Sequence, residues 1–114
     1  MSIAKFARNL KLSEQQIWIS TKNNTVSYPV DGHSLCFQLE DNSFWFEHRN
    51  DCIITAIKQF PPSGGILDIG GGNGYIARRI LDEDFECTLL EPGFTGASNA
   101  KREREIPEVI CSSL

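Results

Sequence analysis

Two acidic side chains and a run of glycines hold the chemistry that this sequence offers. Asp68 lies two residues before Gly70, in the segment Gly64–Tyr75, which is typical of a buried strand, a tight turn and the start of a helix. Such turns bring backbone N–H groups up to a nucleotide-like ligand. Glu91 follows a second short apolar run. We therefore predict a nucleotide-like ligand whose identity depends on these two carboxylates.

The same glycines also fit a second pattern. Gly72-x-Gly74-x-x-Ala77 satisfies the formula G-x-G-x-x-G/A of dinucleotide-binding turns, which would make the chain an NAD(P)-dependent oxidoreductase domain. That register leaves Gly70 unused and points the Asp68 carboxylate at a pyrophosphate, where its negative charge is unfavourable. An ammonium or sulfonium cation would instead be stabilised by Asp68. The register that begins at Asp68 is therefore favoured, and the dinucleotide register stays an alternative.

Two motifs resemble those of a known family. Leu67–Gly74 resembles the first motif, D-x-G-x-G-x-G, of class I S-adenosylmethionine-dependent methyltransferases, and Leu89–Pro92 resembles the second. By this resemblance the glycine turn holds the amino-acid and sugar portions of S-adenosylmethionine, and Asp68 orders the amino-acid end. Glu91 would accept hydrogen bonds from the two ribose hydroxyls, for which a carboxylate has two suitable oxygens. The cofactor-binding residues expected on this basis are Arg49, Asp68, Gly70, Gly71, Gly72, Asn73, Gly74, Glu91 and Pro92.

The segment Phe44–Asn50 resembles an aromatic and basic helix that precedes the first motif in a subset of these enzymes and folds over the cofactor. Arg49 is the candidate partner for the cofactor's carboxylate, and an aromatic ring could cover its methionine chain. The favoured interpretation of Phe44, Trp45 and Phe46 is simpler, namely that they pack against the sheet. His48 as a general base is a weaker alternative, because a lone histidine needs a partner and a substrate. No catalytic residue is assigned.

The cysteine pattern favours reduced thiols in a cytoplasmic protein, because the chain has no C-x-x-C pair, no signal peptide and no apolar run of membrane-spanning length. A zinc site could combine Cys36 and Cys52 with His33 and His48. Structural zinc ligands usually come in tighter pairs, so buried structural cysteines and surface histidines are favoured and no metal is predicted. The four cysteines are Cys36, Cys52, Cys87 and Cys111.

Composition sets the class of protein. The chain has 114 residues, of which 40% are hydrophobic and 23% charged, as in one ordinary globular domain. Its net charge of -4 comes from 15 acidic and 11 basic residues, with no long basic stripe. A surface built to neutralise nucleic-acid phosphates is therefore not expected. A membrane partner is not expected either.

The amino-terminal region, residues 1–42, is predicted to be a separate helical segment and arm. Apolar spacing favours one or two short helices over residues 1–20, with Ser13 as a cap. Alternation across residues 21–42, around the turn dipeptide Asp31-Gly32, favours a β-hairpin or an extended arm. A helical stripe then covers residues 43–60 and ends at Pro61.

Strands and helices alternate over the remainder, so residues 43–114 are predicted to be the first half of a methyltransferase domain. Such alternation indicates parallel β-α-β units, and right-handed crossovers give the strand order 3-2-1. The fold class is therefore α/β, an incomplete Rossmann-like doubly wound parallel sheet. The expected strands are Ile66–Ile69, Cys87–Leu90 and Val109–Cys111, and the expected helices cover Asn73–Leu81 and residues 94–104.

The family resemblance covers only part of the usual domain. Class I methyltransferases typically have seven strands in the order 3-2-1-4-5-7-6, whereas this sequence provides three. We expect a piece of a longer enzyme, rather than a naturally short relative, that is inactive alone and whose methyl acceptor is undetermined. A non-catalytic methyltransferase-like interaction module is the alternative. The apolar edge of Ile66–Ile69 would lack its neighbour and favours a homodimer or a swapped assembly.

Overall fold

The computed structural model describes residues 3, 7–22 and 31–114. Its strands and helices form an α/β arrangement with a mostly parallel sheet, in the order β1-β2-β5-β4-β3. The strands are β1 (Leu10–Leu12), β2 (Trp18–Ser20), β3 (Ile66–Ile69), β4 (Cys87–Leu90) and β5 (Glu108–Cys111). The helices are α1 (Gly32–Glu40), α2 (Phe44–Gln59), α3 (Tyr75–Asp82) and α4 (Phe94–Arg102).

The parallel part of the sheet follows the predicted β-α-β pattern. β3 pairs with β4, where Asp68 lies opposite Leu89, and β4 pairs with β5, where Leu90 lies opposite Ile110. The three predicted strands and the three predicted helices from residue 43 onward are confirmed to within two residues at each end. They form because short apolar runs alternate with amphipathic segments that cover one face of the sheet.

The prediction of short helices over residues 1–20 is wrong from Leu10 onward, whereas Ile3 is helical and its carbonyl accepts the Ala7 N–H at 3.0 Å. β1 and β2 form an antiparallel pair, and β2 also pairs in parallel with β5. Ser13 caps no helix, since its hydroxyl accepts the Ile17 N–H at 3.2 Å beside the turn. Ile17 directly precedes β2 and Ile19 lies on it, paired with Cys111 of β5, and long-range pairing decides such short apolar patterns. The sheet therefore has five strands in the order β1-β2-β5-β4-β3, in which β5-β4-β3 follow the predicted order 3-2-1 and β2 and β1 are added beyond β5.

The predicted hairpin or arm over residues 21–42 is also wrong from Gly32 onward, where the chain forms α1. Asp31 lies at the start of this helix and accepts the Leu35 N–H through its carbonyl at 3.1 Å. His33 and Glu40 are buried on one face of this helix, and Leu35 is exposed on another. Alternation of two apolar residues indicated a strand, but the buried positions follow helical spacing. Residues 23–30 of the predicted hairpin or arm lie outside the described residues.

Two apolar clusters lie on opposite faces of the sheet. The larger joins Leu89 and Val109 to helices α2, α3 and α4, and the smaller contains Leu90 and Ile110, as expected because side chains alternate along a strand. Among the buried members of the larger cluster are Ile17, Ile54, Ile76, Ala77, Ile80, Ala97, Ala100 and Ile106. This packing fixes α3 and α4 against the strands that lead into the glycine turn.

Candidate functional site

The site lies where β3 and β4 end, because parallel neighbours place their carboxyl ends at the same edge. Gly70 donates its backbone N–H to the Leu90 carbonyl at 2.8 Å, which joins the start of the glycine turn to the end of β4. Gly70, Gly72 and Gly74 have φ values of 70°, 58° and 81°, in the left-handed region that favours glycine. Gly74 is the N-cap of α3. The chain thus turns sharply from strand to helix beside the end of its neighbour.

Gly71 is required for a different reason, which is space. A Cβ atom at this position would lie 2.5 Å from Asp68 Oδ2 and would also collide with the Leu89 side chain. The glycine turn therefore folds back against the carboxylate of Asp68. Any larger residue at position 71 would push this turn away from the strand end.

Glu91 is buried and links the glycine turn to the loop after β4. Its Oε1 accepts the Gly72 N–H at 3.0 Å, and its Oε2 accepts the Gly93 N–H at 2.6 Å. The Nε2 atom of His33 lies 3.5 Å from the same Oε2. The carboxylate that the resemblance assigns to ribose hydroxyls is therefore engaged by protein groups on both oxygens.

Asp68 has the opposite character, an acid with unused hydrogen-bonding capacity. Its Oδ2 is buried and has no hydrogen-bond partner among the described residues. Burial raises the pKa of this carboxyl, the charge of Arg49 lowers it, and the charge of Glu91 raises it again. An ionised carboxylate that is buried without a partner costs free energy, so this position favours a cation that supplies one.

Asn73, a predicted cofactor-binding residue, directs its side chain into the protein. Its Nδ2 donates to the His33 carbonyl at 2.7 Å and to Glu40 Oε1 at 3.2 Å. Its Oδ1 accepts the Asn99 Nδ2 at 3.0 Å. The Asn73 side chain thus ties both α1 and α4 to the glycine turn. Pro92 lies in the next loop, where its carbonyl accepts the Cys111 thiol at 3.6 Å.

Arg49 and its aromatic neighbours lie at the start of α2. The Arg49 guanidinium stacks over the Phe46 ring at 5.4 Å, and its charge acts on the pKa of Asp68. The interpretation that all three aromatics pack against the sheet is wrong, because Phe44 is 81% exposed and Trp45 is 65% exposed. Phe46 alone turns inward, with its ring edge-on to Tyr75 at 6.1 Å.

The histidines and cysteines considered as a general base or as zinc ligands lie on helices α1 and α2. His48 stacks on Phe44 at 5.9 Å and lies 3.7 Å from the Cys52 sulfur. His33 and Cys36 belong to α1, where His33 faces Glu91. In the ranges that the structure describes, no group of three or more histidine, cysteine or acidic residues is placed to hold a metal ion.

His33 is buried, contrary to the predicted surface histidine, and its position beside Glu91 was missed by sequence reasoning. Its imidazole ring lies among three glycines, within 2.5 Å of a Cβ built on Gly93, 3.0 Å of one on Gly96 and 3.8 Å of one on Gly72. With Glu91 beside it, the ring fills the space between the two loops. The sequence offered no signal for this, because the glycines that accommodate the ring are distant in the chain.

Arg104 was also missed, although it anchors α1 from the other end. Its guanidinium pairs with Glu40 at 3.0 Å and with Asp41 at 2.7 Å. The same group lies over the rings of Phe37 and Tyr75, at 4.8 and 5.0 Å. These contacts hold the carboxyl-terminal end of α1 against the start of α3.

No protein-family model matches the chain, and no curated protein is significantly similar to it. Within the described ranges, no helix combines the length and apolarity needed to cross a membrane.

Proposed function

We propose that this chain is the S-adenosylmethionine-binding portion of a methyltransferase with a Rossmann-like sheet. The observation that carries the proposal is the buried, unpartnered Oδ2 of Asp68 beside the glycine turn. S-adenosylmethionine has an ammonium group and a sulfonium, and either cation would compensate this charge. The turn therefore suits a ligand whose end beside Asp68 is polar and positively charged.

The position of Glu91 supports the same ligand. The carboxylate lies at the end of the neighbouring strand and reaches the glycine turn through the Gly72 N–H. A ligand that extends from Asp68 across the turn would bring a vicinal diol to Glu91, which can accept from both hydroxyls. The residues that would hold the cofactor are therefore Asp68, the backbone of Gly70–Gly74, and Glu91, with Arg49 near the cofactor's carboxylate.

The chemistry would follow from this placement. The bound cofactor supplies an activated methyl group, and the acceptor belongs to a class that the described residues do not define. This chain would contribute orientation and exclusion of water, which are the main protein contributions to such a transfer. No proton acceptor on the chain is required for it. Cytoplasmic location and self-association through the edge of β3 are parts of the same proposal.

A dinucleotide is the second candidate, favoured by one observation. Ala77 of the Gly72-x-Gly74-x-x-Ala77 pattern is fully buried where α3 packs on the sheet, as the last position of that pattern requires. The unpaired charge of Asp68 opposes it, because a pyrophosphate would bring further negative charge to the same turn. A non-catalytic module with the same architecture would bind neither ligand.

Calorimetric titration of the purified chain with S-adenosylhomocysteine tests the proposal directly. This ligand keeps the ammonium group and the ribose diol and is chemically stable. Binding should weaken about tenfold or more in Glu91→Gln, the scale of a lost charge-assisted hydrogen bond. Glu14→Gln, an exposed acid on the turn between β1 and β2, is the charge-matched control and should bind as the wild type does. Enhanced NADH fluorescence without S-adenosylhomocysteine binding would instead favour the dinucleotide.

A further inference from the structure

Helix α1 lies on the glycine turn with its polar side inward. His33 and Glu40, at 7% and 6% exposure, face the turn, whereas Leu35 and Leu39 are 59% and 64% exposed. Helices on a protein surface usually show the reverse arrangement, with an apolar stripe toward the core. None of the α1 residues belongs to either buried apolar cluster of the described chain.

The attachment of α1 consequently depends on polar contacts. At the amino-terminal end, the Asn73 amide holds the His33 carbonyl, and the His33 ring faces Glu91. At the other end, Arg104 pairs with Glu40 and Asp41. A helix of nine residues is too short to be stable on its own, so α1 depends on these contacts. Elements with few buried apolar contacts belong to the low-stability part of a fold.

The His33 ring occupies the space that a ligand of Glu91 would need. It lies 3.5 Å from Oε2, and a Cβ on Gly93 or Gly96 would touch it. These glycines leave room for a planar group between the two loops, and in this structure that group is an imidazole from the chain itself. A ribose diol bound to Glu91 would have to take the same volume.

We infer that α1 is a displaceable cover of the site and that His33 is its plug. The inference rests on the proposed function, since it identifies the displaced volume with the ligand's sugar portion. Ligand binding and the closed position of α1 then compete, and the apparent Kd exceeds the intrinsic Kd by the inverse of the open fraction. Removing the imidazole should relieve this competition.

The test compares wild type, His33→Ala and Leu35→Ala in calorimetric titrations with S-adenosylhomocysteine. His33→Ala should bind more tightly by about tenfold, the factor expected if the open form is a minor population. Leu35→Ala, an exposed position on the same helix, should stay close to wild type. Hydrogen exchange of the wild-type chain provides a readout that needs no variant, because amides of Gly32–Glu40 should exchange faster when the ligand is bound.

Other outcomes contradict the inference in distinguishable ways. Equal affinity of wild type and His33→Ala, with measurable binding, would overturn the plug and leave the proposed function intact. Weaker binding by His33→Ala, or slower exchange of α1 with ligand, would show that His33 contacts the ligand and closes over it. Absence of binding by every variant would contradict both the plug and the proposed function.

Discussion

The backbone N–H of Gly72 donates to Glu91 Oε1 at 3.0 Å, which fastens the glycine turn after β3 to the end of β4. The other oxygen of Glu91 accepts the Gly93 N–H at 2.6 Å. One buried carboxylate therefore sets the distance between the two loops that flank the site. This carboxylate therefore stabilises the fold of the free chain, in addition to any contact it makes with a ligand.

Replacement of Glu91 should separate these two contributions. Glu91→Ala leaves the N–H groups of Gly72 and Gly93 without their acceptor and should lower the free energy of unfolding by about 1–3 kcal/mol. Glu91→Gln retains one acceptor oxygen and should lose less. Urea unfolding of both variants measures the difference. Equal stability of Glu91→Ala and wild type would show that the two hydrogen bonds do not hold the loops together.

Arg104 should stabilise the chain through the charge of Glu40. Both side chains are largely buried, and removing one partner of a buried pair leaves the other charge uncompensated. Arg104→Met should destabilise the chain by about 1 kcal/mol, because the loss is limited by the free energy that holds α1 closed when its open form is about a tenth of the population. The additional substitution Glu40→Gln should restore part of the loss, because it removes the stranded charge and retains an acceptor for Asn73. Strictly additive losses in a double-mutant cycle would contradict this coupling.

The cysteines should differ widely in reactivity. Burial raises the pKa of the Cys87 thiol to about 12, and burial also raises the pKa of Cys111. Cys52 is exposed on α2. A thiol reagent at pH 8 should therefore modify Cys52 at once and Cys87 only on unfolding, since the thiolate is the reactive form. Mass spectrometry of tryptic peptides assigns the sites, and rapid labelling of Cys87 in the folded chain would refute the buried placement.

The exposed edge of β3 should permit self-association. β3 ends the described sheet, and Ile69 at its end is exposed. Unpaired apolar strand edges associate with one another, so the chain should form dimers at high concentration. Light scattering should show this for wild type and a monomer for Ile69→Lys, because a charge on the edge disfavours pairing. A wild-type monomer at every concentration would contradict the proposed dimer, and Leu114→Lys, at an exposed position outside every strand, is the matched control for the added charge.

The parts of the fold that were predictable are those whose signals are local. β3, β4 and α2 follow from continuous apolar runs, helical spacing and the breaker at Pro61, and the turn at Gly70 follows from its glycines. The amino-terminal strands were not predictable in this way, because β2 forms by pairing with β5 at the far end of the chain. Long-range pairing overrides local preference in such short segments.

Only the positions of the acids and glycines of the candidate site could be predicted from the sequence. Asp68 and Glu91 stand at strand ends, which the sequence pattern locates. The orientation of α1 could not be predicted from the sequence, because its exposed leucines and buried polar residues invert the usual pattern. The role of His33 depends on glycines from two other loops, and no local spacing reports their proximity.

The raised pKa of Asp68 makes the stability of the chain depend on pH. The folded chain binds this proton more tightly than the unfolded chain, so stability falls as the pH rises from the ordinary carboxyl pKa through the raised one. Asp68→Asn should therefore be more stable than wild type at neutral pH, by about 1 kcal/mol, the lower end of the cost of an unsatisfied buried group. The difference should vanish in acid.

The most direct measurement combines thermal unfolding of Asp68→Asn with its calorimetric titration by S-adenosylhomocysteine at pH 7. We expect a higher Tm for the free variant together with binding weakened by about tenfold or more, since the ligand's ammonium group loses its charged partner. A variant that is destabilised would show that Asp68 has a structural partner. A variant that binds with wild-type affinity would contradict the assignment of this carboxylate to a cationic ligand.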